Sequence, residues 1–406
     1  MAPALLIRDL TQVASPAGTG APLRGAGLRR VDVVEDAYVL CRERSVAAVG
    51  RMAELEPLDG DVVEVDGRGL VALPGFVDCH THACFAGDRV EEFDLRAGGA
   101  SYEELHAAGG GILSTVRATR AAGEGALRTA LERRRVAMRS HGTTTWEAKS
   151  GYGLDHDTEL AQLRAIAAVG GVPTWLGAHA VPPEHGDADA YLDFALAEVL
   201  PEAAAIAEAA DVFLERGAFD AGQARRYLEA CGRAGLALRV HADQFTEGGG
   251  IPLAIELGAR SVDHLEATGD AGVRSLAASD VTAVLLPVAA LVLGRPQPPG
   301  RALADAGAAV ALATDFNPGS AFGESLPLVC VLACTQAGLA PAEALAACTV
   351  NAAHVLGRAD RVGRLAPGYD ADVVLLDAPD WRYLAYHVAG GDVAVVVERG
   401  EVAWRR

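Results

Sequence analysis

The apolar and polar positions fall into three regions with different periods. From the N-terminus to Asp66, short apolar or alternating runs at Ala4–Ile7, Ala37–Leu40, Val46–Val49 and Val62–Asp66 are separated by polar, Gly- and Pro-containing segments. That is the pattern of short strands joined by turns. The C-terminal region reads alike: Asp372–Leu376 and Val393–Arg399 are β-rich, with Gly363, Gly368, Gly390, Gly391 and Gly400 at turn positions. Between these ends lie eight runs rich in β-branched or apolar residues. They are Leu73–His82, Gly142–Lys149, Pro173–Ala180, Asp211–Glu215, Leu236–Asp243, Ser261–Glu266, Val281–Pro287 and Val310–Pro318. Helical periodicity fills most intervals: Asp155–Val169 places apolar residues at i, i+3 and i+4 with acids in its first turn, and Asp220–Ala234 is a second example. Two more helical patterns, Glu324–Gly338 and Pro341–Leu356, follow the eighth run. From the second run onward, successive run ends are spaced by the length of one strand–loop–helix–loop unit. Alternating strands and helices imply a parallel sheet, and eight units imply a (β/α)8 TIM barrel. The first interval, from His82 to the end of the second run at Lys149, is far too long for one crossover. It predicts an elaborated loop followed by a helix near Glu124–Ser140. The predicted division is a composite β-sandwich domain of residues 1–73 and 361–406, and a barrel domain of residues 74–360.

A barrel of this kind carries its chemistry at the C-terminal ends of its strands, and the polar residues fall there. The runs end in His80-Thr81-His82, Glu147-Ala148-Lys149, His179-Ala180, Glu215, His241-Ala242-Asp243 with Gln244 next, His264-Leu265-Glu266, and Asp315-Phe316-Asn317-Pro318. Five of the eleven histidines occupy these positions. His80 and His82 are two apart, so an extended strand turns both rings to one face and Cys79 to the other. Each histidine alone is more readily a satisfied core residue. Joined by His241 and Asp315 at later strand ends, they make a donor set of three imidazoles and one carboxylate that suits Zn2+ or Fe2+. Such an ion brings the pKa of water toward about 7. Asp315 is placed to touch metal and water together, His264 to stabilise or relay a proton, and His179 to aid polarisation. The chemistry these parts describe is metal-assisted hydrolysis of a carbon–nitrogen bond.

Composition narrows the partners. The chain has 406 residues, half of them apolar and 22 % charged, which suits a large core and argues against disorder. With 35 basic against 54 acidic residues the net charge is −19. That disfavours nucleic acid and a polybasic membrane patch. The longest largely apolar stretch, Val281–Gly294, contains a Thr and a Pro and is too short to span a bilayer. The opening MAPALLIRDL has no basic start before an apolar run, so no signal peptide is expected. Seven cysteines without a CxxC pair fit reduced thiols in a cytoplasm. The basic set is 34 arginines and one lysine, Lys149. Coding bias can drain lysine everywhere; alternatively the survivor sits where arginine will not do. Its position at a barrel strand end points to a hydrogen-bonding or ion-pairing role with Glu147 or a nearby acid.

Nearly the whole chain resembles the amidohydrolase superfamily and, within it, the imidazolonepropionase family. The resemblance rests on PGFVDCHTH at 74–82, FAGDR at 85–89, AAGGGILSTVRATR at 107–120, EAKSGYGLD at 147–155, GAHAVPPE at 177–184, HADQF at 241–245, VDHLE at 262–266 and ATDFNPGS at 313–320. It implies hydrolytic ring opening of 4-imidazolone-5-propanoate to N-formimino-L-glutamate in histidine degradation, in the cytoplasm, on one Zn2+ or Fe2+/Fe3+ ion, by a homodimer. By position, His80, His82, His241 and Asp315 match the family's metal ligands. Arg89, Tyr152, His179 and Gln244 match residues that hold the imidazolone propanoate, Asn317, Gly319 and Ser320 match contacts to the ligand's amino-acid portion, and His264 matches the active-site histidine. Arg89 suits bidentate binding of a carboxylate. Gln244 stands where some members have Glu and cannot act as a general base, so proton transfer falls to Asp315 and His264, with Gln244 as an orienter. Ser320 replaces a Thr and Cys79 a Pro. Gly109-Gly110-Gly111 lacks the GK[ST] ending of a phosphate loop and reads as a mobile loop segment and candidate lid. The alternatives are another mononuclear amidohydrolase, such as a purine or pyrimidine base deaminase, and a metal-binding scaffold without turnover. A deaminase needs no propanoate clamp, so Arg89 discriminates.

Overall fold

In the computed structural model, which describes residues 3–18, 22–99, 110–388 and 392–406, sixteen strands among the described residues form two sheets. The N-terminal strands are β1 (Ala4–Pro16), β2 (Val31–Arg42), β3 (Ser45–Arg51), β4 (Val62–Asp66) and β5 (Leu70–Pro74). The middle strands are β6 (Phe76–Asp78), β7 (Thr143–Lys149), β8 (Val172–Ala178), β9 (Ala209–Phe213), β10 (Ala237–Ala242), β11 (Ser261–His264), β12 (Thr282–Leu285) and β13 (Val310–Leu312). The last are β14 (Val373–Asp377), β15 (Val393–Glu398) and β16 (Glu401–Arg405).

The two ends build one sheet in the order β16-β15-β14-β5-β1-β2-β3, with β4 also paired to β1. The start of β3 pairs back to the segment before β14, through Val46 N to Tyr369 O at 2.8 Å and Ala371 N to Arg44 O at 2.8 Å. The sheet therefore doubles over its own core of Leu5, Ile7, Val39, Val373 and Val397, as the predicted β-unit of both termini requires. β1 and β2 are much longer than their sequence signals, and β16 has none, because these stretches mix polar residues into their exposed faces.

The eight middle strands run in order β6 to β13, every neighbour parallel. The first predicted run is in fact two strands. Gly75 separates β5, in the terminal sheet, from β6, in the barrel. A Cβ at Gly75 would overlap Thr144 Oγ1, so the crossing of the two units needs glycine. The helices follow their capping signals. Asp155 accepts Thr158 N at 2.7 Å to start His156–Val169, and Asp220 and Gln223 form a reciprocal box at the start of Ala221–Arg233. The long first interval holds a helix at Val90–Ala97 and another over Ile112–Ser140, broken at Gly123 (φ 72°, ψ 162°). Gly109, Gly390 and Gly391 lie outside the described residues. No described helix is long and apolar enough to cross a membrane.

Candidate active site

The barrel closes through the site itself. Beyond β6 and β13 the chain pairs across the seam: Asp315 N donates to His80 O and His82 N to Phe316 O, each at 3.0 Å. Asp78 secures the same seam by accepting Thr314 N at 3.1 Å and Thr314 Oγ1 at 2.6 Å. This backbone pairing puts His80 Nε2 at 3.6 Å and His82 Nε2 at 3.5 Å from Asp315 Oδ1, so the two rings share one face although the assigned strand ends at Asp78. From the end of β10, His241 Nε2 comes to 3.3 Å from His82 Nε2. His264 ends β11 with its ring centroid 5.2 Å from His241 and 5.9 Å from His80. All five residues are buried.

Buried acids hold the far side of three of these rings. His80 Nδ1 lies 2.5 Å from Asp263 Oδ2, His241 Nδ1 3.0 Å from Asp211 Oδ1, and His264 Nδ1 3.3 Å from Glu266 Oε1. Each such contact leaves Nε2 for the centre. Lys149 makes the expected pair with Glu147 (Nζ–Oε1 2.8 Å) and a second with Asp211 (Nζ–Oδ2 2.9 Å). Arg239 Nη1 lies 3.3 Å from the same Glu147 oxygen. Burial, reinforced by the Lys149 charge and neighbouring imidazoles, pushes His80 well below its ordinary pKa, and burial with His179 and His241 does the same to His82. Burial also lowers His241, against the pull of Asp211. Burial opposes ionisation of Asp211, but His241 and Lys149 outweigh it and hold the carboxyl below its usual range. His264 is the exception among the imidazoles: burial disfavours its charge, yet Glu266, Asp315 and Asp263 raise its affinity for a proton. Burial lifts Asp315 to about 7, partly offset by His264.

The donor set fits a divalent ion. Ligand atoms of His80, His82 and Asp315 lie within 4.8 Å of one another, the imidazoles are held neutral, and His80 Nε2 is buried with no hydrogen-bond partner among the described residues. An orphaned buried polar atom of that kind is costly unless something binds it. Asp243, His264, Leu265 and Asp315 all have left-handed backbone, with φ of 54°, 86°, 74° and 54°. For non-glycine residues that conformation costs of order 1–3 kcal/mol each, and such strain clusters at functional sites.

Around this centre the substrate-facing candidates divide into groups. The Tyr152 ring lies 6.0 Å from His82 and 5.3 Å from His179, and His179 is 5.2 Å from His82. His179 Nδ1 lies 2.9 Å from Gly151 O, and burial with nearby His241 lowers this imidazole to about 3. The turn that carries Tyr152 is shaped by Glu159, whose Oε1 accepts Gly151 N, Gly153 N and Leu154 N, each at 2.9 Å. Arg89 does not present a free fork: its Nε donates to Glu92 Oε2 at 2.8 Å and Nη2 pairs with Glu92 Oε1. Glu92 also accepts Gly111 N at 2.8 Å. Arg89 Nη1 faces Gly319, where a Cβ would overlap it. The Asn317 turn is closed on itself: Asn317 Oδ1 accepts Gly319 N and Ser320 N at 2.8 Å, and its Nδ2 donates to Asp315 O at 2.6 Å and Ser320 Oγ at 2.9 Å. Gln244 is buried on a loop that Glu215 pins by accepting Phe245 N at 2.8 Å and Thr246 N at 3.1 Å.

Sequence reasoning misses Asp211, Asp263, Glu159, Glu92 and Glu266 as functional supports. Glu266 and Asp211 are visible as members of strand runs, and Glu159 as a first-turn acid of a helix. No sequence signal ties Asp211, Asp263 or Glu159 to its partner, because each of those contacts crosses between elements or folds back over a turn; Glu92 and Glu266 lie only three and two residues from Arg89 and His264.

The amidohydrolase family profile matches residues 71–402. An imidazolonepropionase of Rubrobacter xylanophilus is 60 % identical over 405 residues, covering 98 % of this chain and 97 % of that protein. One of Chloroflexus aggregans is 48 % identical over 417 residues, covering 98 % of each. Among solved structures, a zinc-bound adenosine deaminase of Xanthomonas campestris superposes with a TM-score of 0.71 at 18 % identity, over 98 % of this chain and 92 % of that one. The guanine deaminase of E. coli gives 0.70 at 13 % identity over all of both chains. At such identity these two share the fold.

Proposed function

We propose, on the premise that the chain belongs to the amidohydrolase family and, within it, to the imidazolonepropionases, that this strand-end site opens the ring of 4-imidazolone-5-propanoate. The chain is a hydrolase of carbon–nitrogen bonds in a cyclic amide, and its substrate is a small molecule of histidine degradation. The product on this reading is N-formimino-L-glutamate. His80, His82, His241 and Asp315 would hold one divalent ion, Zn2+ or iron. When bound, such an ion brings the pKa of water toward about 7 and polarises a carbonyl.

The water oxygen joins the ring carbonyl carbon, the adjacent ring C–N bond breaks, and the freed nitrogen takes a proton. Asp315 accepts the proton from water and returns it to that nitrogen. His264, whose hold on a proton Glu266 strengthens against burial, faces the carbonyl oxygen as negative charge develops there. His179, with Nδ1 engaged by Gly151 O, has Nε2 left for the ring, and Tyr152 packs beside it. Gln244 orients the ring as a hydrogen-bonding amide and moves no proton. Arg89, with Nε and Nη2 paired to Glu92, receives the propanoate through Nη1, and Asn317, Gly319 and Ser320 contact the amino-acid portion.

The observation that carries this reading is the convergence of His80 and His82 on the Asp315 carboxylate, with His241 Nε2 3.3 Å from His82 Nε2 and the buried His80 Nε2 left unpartnered. Base deamination has in its favour only the shared fold of distant relatives. The domain limits at residues 1–73 with 361–406 and 74–360, a homodimeric state and a cytoplasmic location belong to the same reading. The test follows ultraviolet loss of imidazolone propanoate, with formiminoglutamate identified as product. Metal-replete protein without turnover would sink it. His241→Ala is expected to lose both bound metal and activity; full metal stoichiometry in that variant contradicts the ligand assignment.

A further inference from the structure

Lys149 is the one lysine of the chain, and it is wholly buried. Glu147 and Lys149, two apart on β7, share the face turned into the barrel. Two buried acids meet the Lys149 ammonium, but they depend on it unequally. Glu147 has other partners: its Oε1 also lies 3.3 Å from Arg239 Nη1, and its Oε2 accepts Thr81 N at 3.0 Å. Asp211 has no second fixed cation among the described residues; its ion pairs run to Lys149 and to the imidazole of His241. The Arg239 guanidinium is committed elsewhere, to Cys79 O at 2.9 Å, to Val355 O at 3.2 Å and to Glu147. One line of contacts therefore runs from Lys149 Nζ through Asp211 Oδ2 and Oδ1 (2.9 and 3.0 Å) to His241 Nδ1.

We propose that Lys149 is a positioning residue for the metal site: by holding Oδ2 of Asp211 it fixes that carboxylate, and through it the ring of His241. The inference rests on the metal-ligand role proposed for His241. A carboxylate buried without its cation rotates toward any available donor. That frees His241 Nδ1 from its acceptor and lets the ring turn. Lysine suits the place because a single compact nitrogen can sit between two carboxylates. A planar guanidinium presents its donors in a wide fork, and Arg239 already lies across the same Glu147 oxygen. The solitary lysine among 34 arginines is thus retained for its shape as well as its charge.

The experiment is competition for Zn2+ between a chelator and the purified full chain, with thermal melting in parallel, for the wild type, Lys149→Met, Asp211→Asn and the double variant. Lys149→Met is expected to weaken Zn2+ binding about 10–100-fold, the range for losing an outer partner of a metal ligand. Asp211→Asn is expected to do the same. Because both break one line, the double variant should bind no more weakly than the worse single variant. A merely structural lysine would lower the melting temperature and leave the affinity of the folded protein alone. Wild-type affinity in Lys149→Met, or losses that multiply in the double variant, overturns the proposal. Where Lys149→Met does not fold, Lys149→Arg keeps the charge and should still lose affinity; wild-type affinity there also overturns it. His241→Ala in the same titration separates the two readings. If it keeps Zn2+, the ligand assignment and this inference fall together; if it loses Zn2+ while Lys149→Met keeps it, only this inference falls.

Discussion

Glu159→Ala removes one carboxylate that holds three backbone groups. Glu159 Oε1 is the acceptor for Gly151, Gly153 and Leu154, each N–H at 2.9 Å, in a buried turn. Each buried N–H left without a partner costs about 1–3 kcal/mol, so the native turn loses about 3–9 kcal/mol. Water entering the vacated space returns part of this, and a net loss of about 3–5 kcal/mol is expected. The turn is already strained, since Leu154 has a left-handed backbone (φ 53°), which costs roughly 1–2 kcal/mol for a residue with a Cβ. Without its acceptor the turn therefore relaxes. Two substrate-facing rings move with it: Tyr152 lies inside the turn, and His179 is tied to Gly151 O at 2.9 Å. A displacement of about 1 Å in a positioning group costs on the order of 10²-fold in rate. The assay is steady-state kinetics on imidazolone propanoate, with metal content and thermal melting on the same preparation. A fall of about 100-fold in kcat/KM is expected, with a lower melting temperature and full metal occupancy. The metal-facing residues hang instead from Asp263, Asp211 and the barrel seam. A folded variant with wild-type kcat/KM would refute the reasoning, and so would loss of metal in proportion to activity.

Two further outcomes rest on the same structure. Gly319→Ala drives a Cβ into Arg89 Nη1, at the flexible end of the side chain; stability and metal content should hold while KM rises at least about tenfold, and an unchanged KM would show that Arg89 does not serve the substrate there. Burial lifts the Asp372 carboxyl from 3.8 to about 6, so the folded state binds its proton more tightly than the unfolded state, and stability present below about pH 4 is lost as the pH rises through 6, by ~3 kcal/mol in all. Asp372→Asn keeps an acceptor for Arg399 N, now at 2.8 Å from Oδ1, and should raise the melting temperature at pH 7.5 but not at pH 4; an equal effect at both values counts against this sign.

The terminal regions are the least legible part of the fold. β16 carries no signal because Glu401–Arg405 is only five residues long, largely exposed and charged at both ends, and its identity as a strand comes from pairing with β15. The run Leu73–His82 reads as one strand because its apolar pattern is continuous, whereas the close approach of Thr144 at Gly75 splits it between two sheets. Helix starts are legible where an acid caps them, as at Asp155 and Asp220, because that contact is local to the first turn. At the site, the HxH spacing and the strand-end positions of His241, His264 and Asp315 are readable from local periodicity. Arg89 is readable as a cation near the site and its i,i+3 spacing to Glu92 is local, but only the structure shows that Glu92 engages two of its three guanidinium nitrogens.

The amino-acid order by itself determined the alternation of strand and helix, the parallel barrel that follows from it, and the donor residues presented at the strand ends. These depend on periodicity and short spacings, which act over a few residues. Tertiary structure alone decided which acid stands behind which imidazole: Asp263 is 183 residues from His80, and Asp211 is 30 residues from His241. It also settled the surroundings of the single lysine, between Glu147 and Asp211. Such pairings are set by the register of neighbouring strands around a closed barrel. A lysine and an aspartate on different strands meet only when every strand between them has taken its place.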